Sequence, residues 1–200
     1  MLTLYHSPQS RSTSVVQLIE EMGVRDQIDI RTVTIPRQDG SGARDPANPH
    51  PEGKVPYLVD GDDTVRERAA AMIYLTDRFE SPLGRPVGHK QRGLYLSWMV
   101  WYQSVFEPVG IFNWAKLDHP VLYDTFRDYD TAIARLDEVL SRQPYLLGAD
   151  FSAADMLISG VFGWAGDMMP APKVVKDWAD RCNSRPEAVR VAEAEAGKPY

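Results

Sequence analysis

Cysteine is nearly absent from this chain of 200 residues, which has Cys182 and no other. A single cysteine excludes a framework of internal disulfides and fits a reducing compartment. Long apolar runs are also missing, since no stretch approaches the ~18 residues that a membrane span needs. The residues after Met1 lack the basic and then apolar pattern of a leader. We therefore expect a soluble, cytoplasmic protein without a membrane partner.

Positive charge is in deficit, because 22 lysines and arginines stand against 28 acidic residues and give a net charge of -6. Binding to nucleic acid needs a basic patch that neutralises phosphates, and here the basic residues are scattered. The four histidines are dispersed without metal-ligand spacing, so we expect surface or loop histidines and no metal. A small molecule or a protein is the expected partner.

Residues 1 to 80 alternate between strand and helix patterns. An alternating segment at Leu2 to Tyr5 precedes an apolar helical face that ends at Gly23, and a second strand pattern starts at Ile28. A hairpin at Tyr57 to Arg66 then leads into a helix from Glu67 to Phe79. This order predicts an α/β domain with a four-stranded mixed sheet covered by helices.

Residues 81 to 88 break regular structure and predict a linker, after which no strand pattern recurs. Residues 89 to 200 are therefore predicted to form an all-helical domain. The predicted helices are Gln91 to Asn113 with a kink at Pro108, Pro120 to Ser141, Ser152 to Met168, Lys173 to Ser184, and Pro186 to about Ala196.

Two features of the first domain suit a small peptide ligand. Val55-Pro56 stands at the entry to a strand; a trans bond is the commoner form there, whereas a cis bond would turn the Val55 backbone outward to pair with an extended peptide. Glu67 opens a helix. Its carboxylate either stabilises the helix dipole or accepts a hydrogen bond from a ligand ammonium. In the second case the N–H groups of Arg68 and Ala69 would bind the adjacent carboxylate of the ligand.

Serines are concentrated between the first strand and the first helix. We expect at least one of them to cap the helix, and Ser14 with Gln17 fits a capping box. A second hydroxyl at this helix start could donate to a thiolate and lower its pKa. The chain has no cysteine here, so that thiol would arrive with the ligand.

Four segments, in order and suitably spaced, resemble the cytosolic glutathione transferases, in particular bacterial members of the serine type. They are Tyr5 to Ser10, Gly53 to Pro56, the helix opened by Glu67, and Leu146 to Asp155. The resemblance covers almost the whole chain. It implies a thioredoxin-like domain that binds glutathione as co-substrate, followed by a helical domain that binds the electrophile. It also implies a role in detoxification and a homodimer in which the helix after Glu67 faces the partner's helical domain.

The resemblance also implies roles for individual residues. Val55 before cis-Pro56 would pair with the cysteinyl backbone, Glu67 and Arg68 would hold the γ-glutamyl end, and Lys54 would approach the glycyl carboxylate. Arg68 stands where most members have a small hydroxyl residue, so its guanidinium could pair with Glu67 or with the ligand. The thiol-activating hydroxyl would be that of Ser10, with Ser12 and Tyr5 left open because the register is uncertain by a residue or two.

The helical part offers a second set of candidates. Most of its aromatic residues are predicted to be core, and Tyr102 and Phe106 are our choice for an apolar electrophile pocket. Ser152 and Asp155 fit a capping box, so Asp155 is assigned to folding rather than to chemistry.

Together these features predict an enzyme that joins the glutathione thiolate to a small apolar electrophile, whose identity the sequence does not reveal. Two alternatives remain at this point. One is a glutathione-dependent isomerase or reductase, and the other is a non-catalytic interaction protein of the same fold.

Overall fold

The computed structural model describes residues 1–197, apart from the side chain of Asp167. They form two compact units, one made of residues 1–81 with 186–197 and the other of residues 82–185. The last helix differs from the prediction, because it packs against the first helix and so belongs to the first unit. Residues 198–200 of the predicted helical domain lie outside the described residues.

The first unit combines four strands with three helices. The elements are β1 Leu2–His6, α1 Thr13–Glu21, β2 Ile28–Thr32, β3 Tyr57–Asp60, β4 Asp63–Arg66, α2 Arg68–Arg78 and α9 Pro186–Gly197. The strands form the predicted four-stranded mixed sheet, and their order is β2-β1-β3-β4. Strands β1 and β2 are parallel, whereas β3 lies antiparallel to β1 and to β4. Helix α1 contacts both α2 and α9.

The core of the first unit follows from the alternation along β1 and the helical period of α1. Leu2 and Leu4 share one sheet face, and both are buried. The apolar face of α1 is fully buried, as the spacing of its residues predicts. That packing holds the start of α1 beside the end of β1.

The second unit is helical throughout its regular elements. They are α3 Arg92–Trp101, α4 Glu107–Trp114, α5 Pro120–Phe126, α6 Tyr129–Leu140, α7 Ala153–Ala165 and α8 Lys173–Asn183. Helix α7 makes its largest contact with α8, and both are lined by buried side chains. Among the described residues, no helix is long and apolar enough to cross a membrane.

Three predicted helices differ in detail from the structure. The helix predicted from Gln91 to Asn113 is interrupted by a π-helical turn, Tyr102–Phe106. This turn lies just ahead of Pro108, which has no N–H for the α-helical ladder. The helix predicted from Pro120 to Ser141 breaks at Arg127, whose φ is 68°. A new helix starts there because the Asp128 side chain accepts the Thr131 N–H. The helix predicted from Ser152 to Met168 ends at Ala165, because Gly166 adopts a φ of 52°.

Candidate functional site

The sheet register brings three of the predicted segments to one edge. Tyr5, one residue from the end of β1, pairs with Tyr57 at the start of β3, and Tyr57 in turn pairs with Arg66 at the end of β4. The serine loop leaves β1 at this edge, Val55-Pro56 enters β3 here, and Glu67 leaves β4 here. The register therefore gathers the serines, Val55, Pro56 and Glu67 within one small region of the first unit.

The Val55-Pro56 bond is cis, as the resemblance implies. Val55 is nearly buried, at 9% exposed. The loop before it is held from inside, because the Asn48 side-chain amide donates to the Lys54 carbonyl at 3.1 Å. The Lys54 ammonium itself is exposed and lies 2.5 Å from the Glu52 carboxylate. This pair holds the pKa of Glu52 below its usual range.

Glu67 occupies the cap position of α2 with a φ of 67°, in a region that residues other than glycine seldom adopt. A conformation of this kind costs about 1–3 kcal/mol and is concentrated at functional sites. Arg68 is 5% exposed, so a ligand at this helix start would meet its backbone N–H rather than its guanidinium. The structure thus gives no support to a guanidinium that reaches the ligand.

The three candidate hydroxyls lie in different environments. Ser10 is half-buried, and its hydroxyl donates to the Ser7 carbonyl at 2.6 Å. Ser12 is fully buried, and its Oγ lies 2.7 Å from His6 Nδ1. Tyr5 alternates with His6 along β1, so its ring lies on the opposite sheet face, where it contacts Tyr57. Of the three, Ser10 is the hydroxyl both partly exposed and at the helix start.

Capping of α1 differs from the sequence prediction. Ser12 stands at the cap position, but its side chain makes no capping hydrogen bond. Ser14 lies inside the helix and donates to the Arg11 carbonyl at 3.2 Å, so the predicted capping box with Gln17 is wrong. The hydroxyl of Ser12 is instead directed to His6, a polar partner inside the sheet-helix layer that local spacing could not reveal.

Two side chains that no sequence motif marks, Arg37 and Glu195, hold the serine loop. Arg37 donates to the carbonyl groups of Pro8 and Gln9, at 2.6 and 3.1 Å, and to Ser7 Oγ at 3.3 Å. Glu195, on α9, accepts the Gln9 N–H and the Thr13 hydroxyl on its Oε2. Both residues are remote from the loop in sequence, so no spacing pattern could find them.

The prediction of surface or loop histidines is wrong for His6, whereas His50 does lie in a loop but is buried there. His6 lies on β1 and is fully buried, which lowers its pKa to about 4. His50 is 5% exposed, and its Nδ1 accepts the Glu52 N–H at 3.0 Å. Burial lowers the pKa of His50 as well. Both rings are therefore neutral at pH 7 and act as hydrogen-bond partners within the first unit.

Tyr102 and Phe106 are core residues of the second unit. Neither exposes any surface, and the Phe106 ring lies about 6 Å from the rings of Tyr102, Tyr129 and Phe162. An electrophile pocket at these two positions therefore finds no support. The capping box of Ser152 and Asp155 is confirmed at the start of α7.

Comparison with known proteins supports the resemblance to the glutathione transferases. Residues 118–186 match the family model of the glutathione S-transferase C-terminal domain. The theta class glutathione S-transferase from Xanthomonas axonopodis pv. citri, solved with glutathione bound, is 25% identical, with a TM-score of 0.70 and 96% of each chain covered. The resemblance to the cytosolic glutathione transferases is confirmed.

Two curated relatives are also similar. An uncharacterised GST-like protein from Streptococcus mutans is 26% identical over 90% of this chain and 76% of its own length. The dichloromethane dehalogenase of Methylophilus leisingeri is 28% identical over 66% of this chain, which spans about half of that protein, 49%. The fold is that of a glutathione transferase.

Proposed function

We propose that this protein is a glutathione transferase that joins the glutathione thiolate to a small apolar electrophile. The observation that carries the proposal is the meeting of Ser10, Val55 and Glu67 at one sheet edge, beside the N-terminus of α1. A tripeptide with a thiol in its middle and a carboxylate at each end matches this arrangement. The bound glutathione of the Xanthomonas relative supports the same ligand.

The peptide is held at three places in this proposal. Its cysteinyl backbone pairs with the Val55 backbone beside Pro56, as an added strand. Its γ-glutamyl ammonium meets the Glu67 carboxylate, while the α-carboxylate accepts the backbone N–H groups of Arg68 and Ala69 at the start of α2. Its glycyl carboxylate is attracted by Lys54. The exposed ammonium of Lys54 leaves its ion pair with Glu52 and pairs with the ligand carboxylate.

Ser10 activates the thiol. Its hydroxyl turns from the Ser7 carbonyl to the sulfur and stabilises the thiolate. Lowering the thiol pKa by two units corresponds to about 2.7 kcal/mol, which one or two charge-assisted hydrogen bonds can supply. Ser12 is too deeply buried for this role, and Tyr5 faces the other side of the sheet.

A homodimer and a cytoplasmic location, with a role in detoxification, belong to the same proposal. An apolar hollow of about 440 Å³ lies along the open side of α2 and is lined by Ala70, Ile73 and Tyr74, which supports docking of a partner on this helix. The single cysteine fits a reducing compartment. Sedimentation equilibrium, which gives the mass of the particle in solution, tests the dimer.

The test is an ultraviolet titration of the thiolate of bound glutathione in the parent, in Ser10→Ala and in Tyr5→Phe. We expect the parent and Tyr5→Phe to bind glutathione with a lowered thiol pKa. Ser10→Ala should bind it with a thiol pKa about two units higher, since the donor is lost.

An absence of glutathione binding at millimolar concentration would sink the proposal and favour a non-catalytic interaction protein. Binding and ionisation, followed by turnover of disulfide or dienoic substrates instead of apolar electrophiles, would favour the reductase or isomerase.

A further inference from the structure

A continuous row of polar contacts leads inward from Ser10. Its Oγ lies 2.8 Å from Ser12 Oγ, which lies 2.7 Å from His6 Nδ1. On the other side of the ring, His6 Nε2 lies 3.4 Å from Glu195 Oε1. The row thus joins the hydroxyl at the site to a carboxylate on the last helix through one buried imidazole.

The end of this row is shielded from water. The side chains of His6 and Glu195 are 0% and 2% exposed. The two oxygens of Glu195 differ in their surroundings, since Oε2 accepts the Gln9 N–H and the Thr13 hydroxyl while Oε1 faces the ring. One oxygen therefore ties α9 to the serine loop, and the other faces His6 Nε2 at 3.4 Å.

Burial, rather than charge, suits the Glu195 carboxylate for taking up a proton. Burial raises the pKa of Glu195, an effect reduced by the Gln9 N–H, the Thr13 hydroxyl and the positive charge of Arg37. His6, the titratable group that faces Glu195 from β1, is neutral at pH 7 because burial lowers its pKa to about 4. A neutral imidazole can pass a proton by taking one at Nδ1 and giving one from Nε2.

We propose that Glu195 is a positioning residue for thiol ionisation, which receives through His6, Ser12 and Ser10 the proton that leaves bound glutathione. The inference rests on the glutathione chemistry proposed above. It extends the site to a helix at the far end of the sequence, and it gives the proton of the thiol a destination inside the protein.

The transfer balances at every group. The S–H bond breaks and its proton passes to Ser10 Oγ, whose own proton passes to Ser12 Oγ. The Ser12 proton passes to His6 Nδ1, and the His6 Nε2 proton passes to Glu195 Oε1. One negative charge has then moved from Glu195 to the sulfur, and every group between them is neutral as before. Ser10 ends with its hydrogen directed at the thiolate, which is the state that stabilises it.

This transfer changes the tautomer of His6 from Nε2–H to Nδ1–H, which ¹⁵N NMR of labelled histidine reads directly. We expect glutathione to produce this change in the parent, whereas S-methylglutathione, which has no thiol proton, should leave the Nε2–H form. In Glu195→Gln the change should be absent and the bound thiol about one pKa unit weaker as an acid, hence roughly tenfold less thiolate at pH 7. Glu193→Gln, an exposed position on the same helix, is the matched control and should behave as the parent.

Ser12→Ala provides a second interruption that leaves Glu195 and Ser10 in place, and it should also abolish the tautomer change. The relay is overturned if glutathione ionises normally in Glu195→Gln and the His6 tautomer of the parent stays fixed; the proposed function would survive that result. If the parent neither binds nor ionises glutathione, the proposed function fails and the relay falls with it.

Discussion

The two units each bury a carboxylate close to a helix start, and the two carboxylates differ in how fully they are satisfied. Asp155, in the helical unit, accepts four hydrogen bonds, from the N–H groups of Leu146 and Ser152, the Ser152 hydroxyl and the Trp178 indole. Glu195, in the sheet unit, accepts two on one oxygen and faces His6 with the other. Burial raises the pKa of both.

The difference separates a structural acid from one that can take part in proton transfer. The groups around Asp155 all donate hydrogen bonds to it and none of them is an imidazole, so the residue locks the start of α7 onto α8. Glu195 instead places one oxygen 3.4 Å from the Nε2 of His6, an imidazole that can change tautomer. Burial and a raised pKa alone do not distinguish the two roles; the partners do.

Removal of Asp155 should have the largest effect on stability. Asp155→Ala leaves the Trp178 indole and two backbone N–H groups buried without an acceptor, and we expect a loss of roughly 3 to 5 kcal/mol in the free energy of unfolding. Denaturant unfolding followed by circular dichroism measures it. Asp150→Ala, at an exposed position nearby, should cost under about 0.5 kcal/mol. A loss below about 1 kcal/mol for Asp155→Ala would remove the contrast between the two acids.

His6 should make the stability of the protein depend on pH. Its folded pKa of about 4 lies below its unfolded value of 6.5, so the unfolded chain binds more protons between these values. Stability is then lost as the pH falls from 6.5 towards 4, by roughly 3 kcal/mol for this group. The raised pKa of Glu195 acts in the opposite direction, because its folded form holds a proton more tightly.

The His6 contribution is measured as the difference in slope between the parent and His6→Gln, from unfolding free energies at several pH values. Glu195→Gln removes the opposing contribution, and its curve should fall more steeply on acidification than that of the parent. His89→Gln, at an exposed position, removes a histidine without touching Ser12. Parallel curves for the parent and His6→Gln would contradict a buried neutral ring.

The contrast between Asp155 and Glu195 also shows what the sequence can predict. Asp155 follows Ser152 by three residues, so a local capping pattern is enough to reveal its role. The strands, the hairpin and most helices are likewise local patterns, and Ser10, Val55 and Glu67 follow from short motifs in order. Glu195 and Arg37 have no such pattern, because their partners in the serine loop lie far away along the chain.

The same physical limit explains the other differences. Helix α9 is amphipathic, but which unit its apolar face covers depends on packing against α1, and the sequence alone placed it in the helical domain. Ser12 fits an N-cap by position, yet its hydroxyl bonds to a ring that the alternation of β1 turns inward. In both cases a contact between distant segments decides the outcome.

The smallest effect should come from Arg190, which joins α9 to α1 through an ion pair with Glu20 at 2.5 Å. Arg190 is 59% exposed, so Arg190→Ala should lower the free energy of unfolding by only about 0.5 kcal/mol. Arg142→Ala, which removes the exposed ion pair with Glu138 in the helical unit, should have a similar effect. The thiol pKa of bound glutathione should be unchanged, since Arg190 holds the helix but has no contact in the row from Ser10 to Glu195. A thiol pKa that rises in Arg190→Ala as much as in Glu195→Gln would mean that docking of α9, rather than the carboxylate, controls the site, and the two buried acids would then be alike.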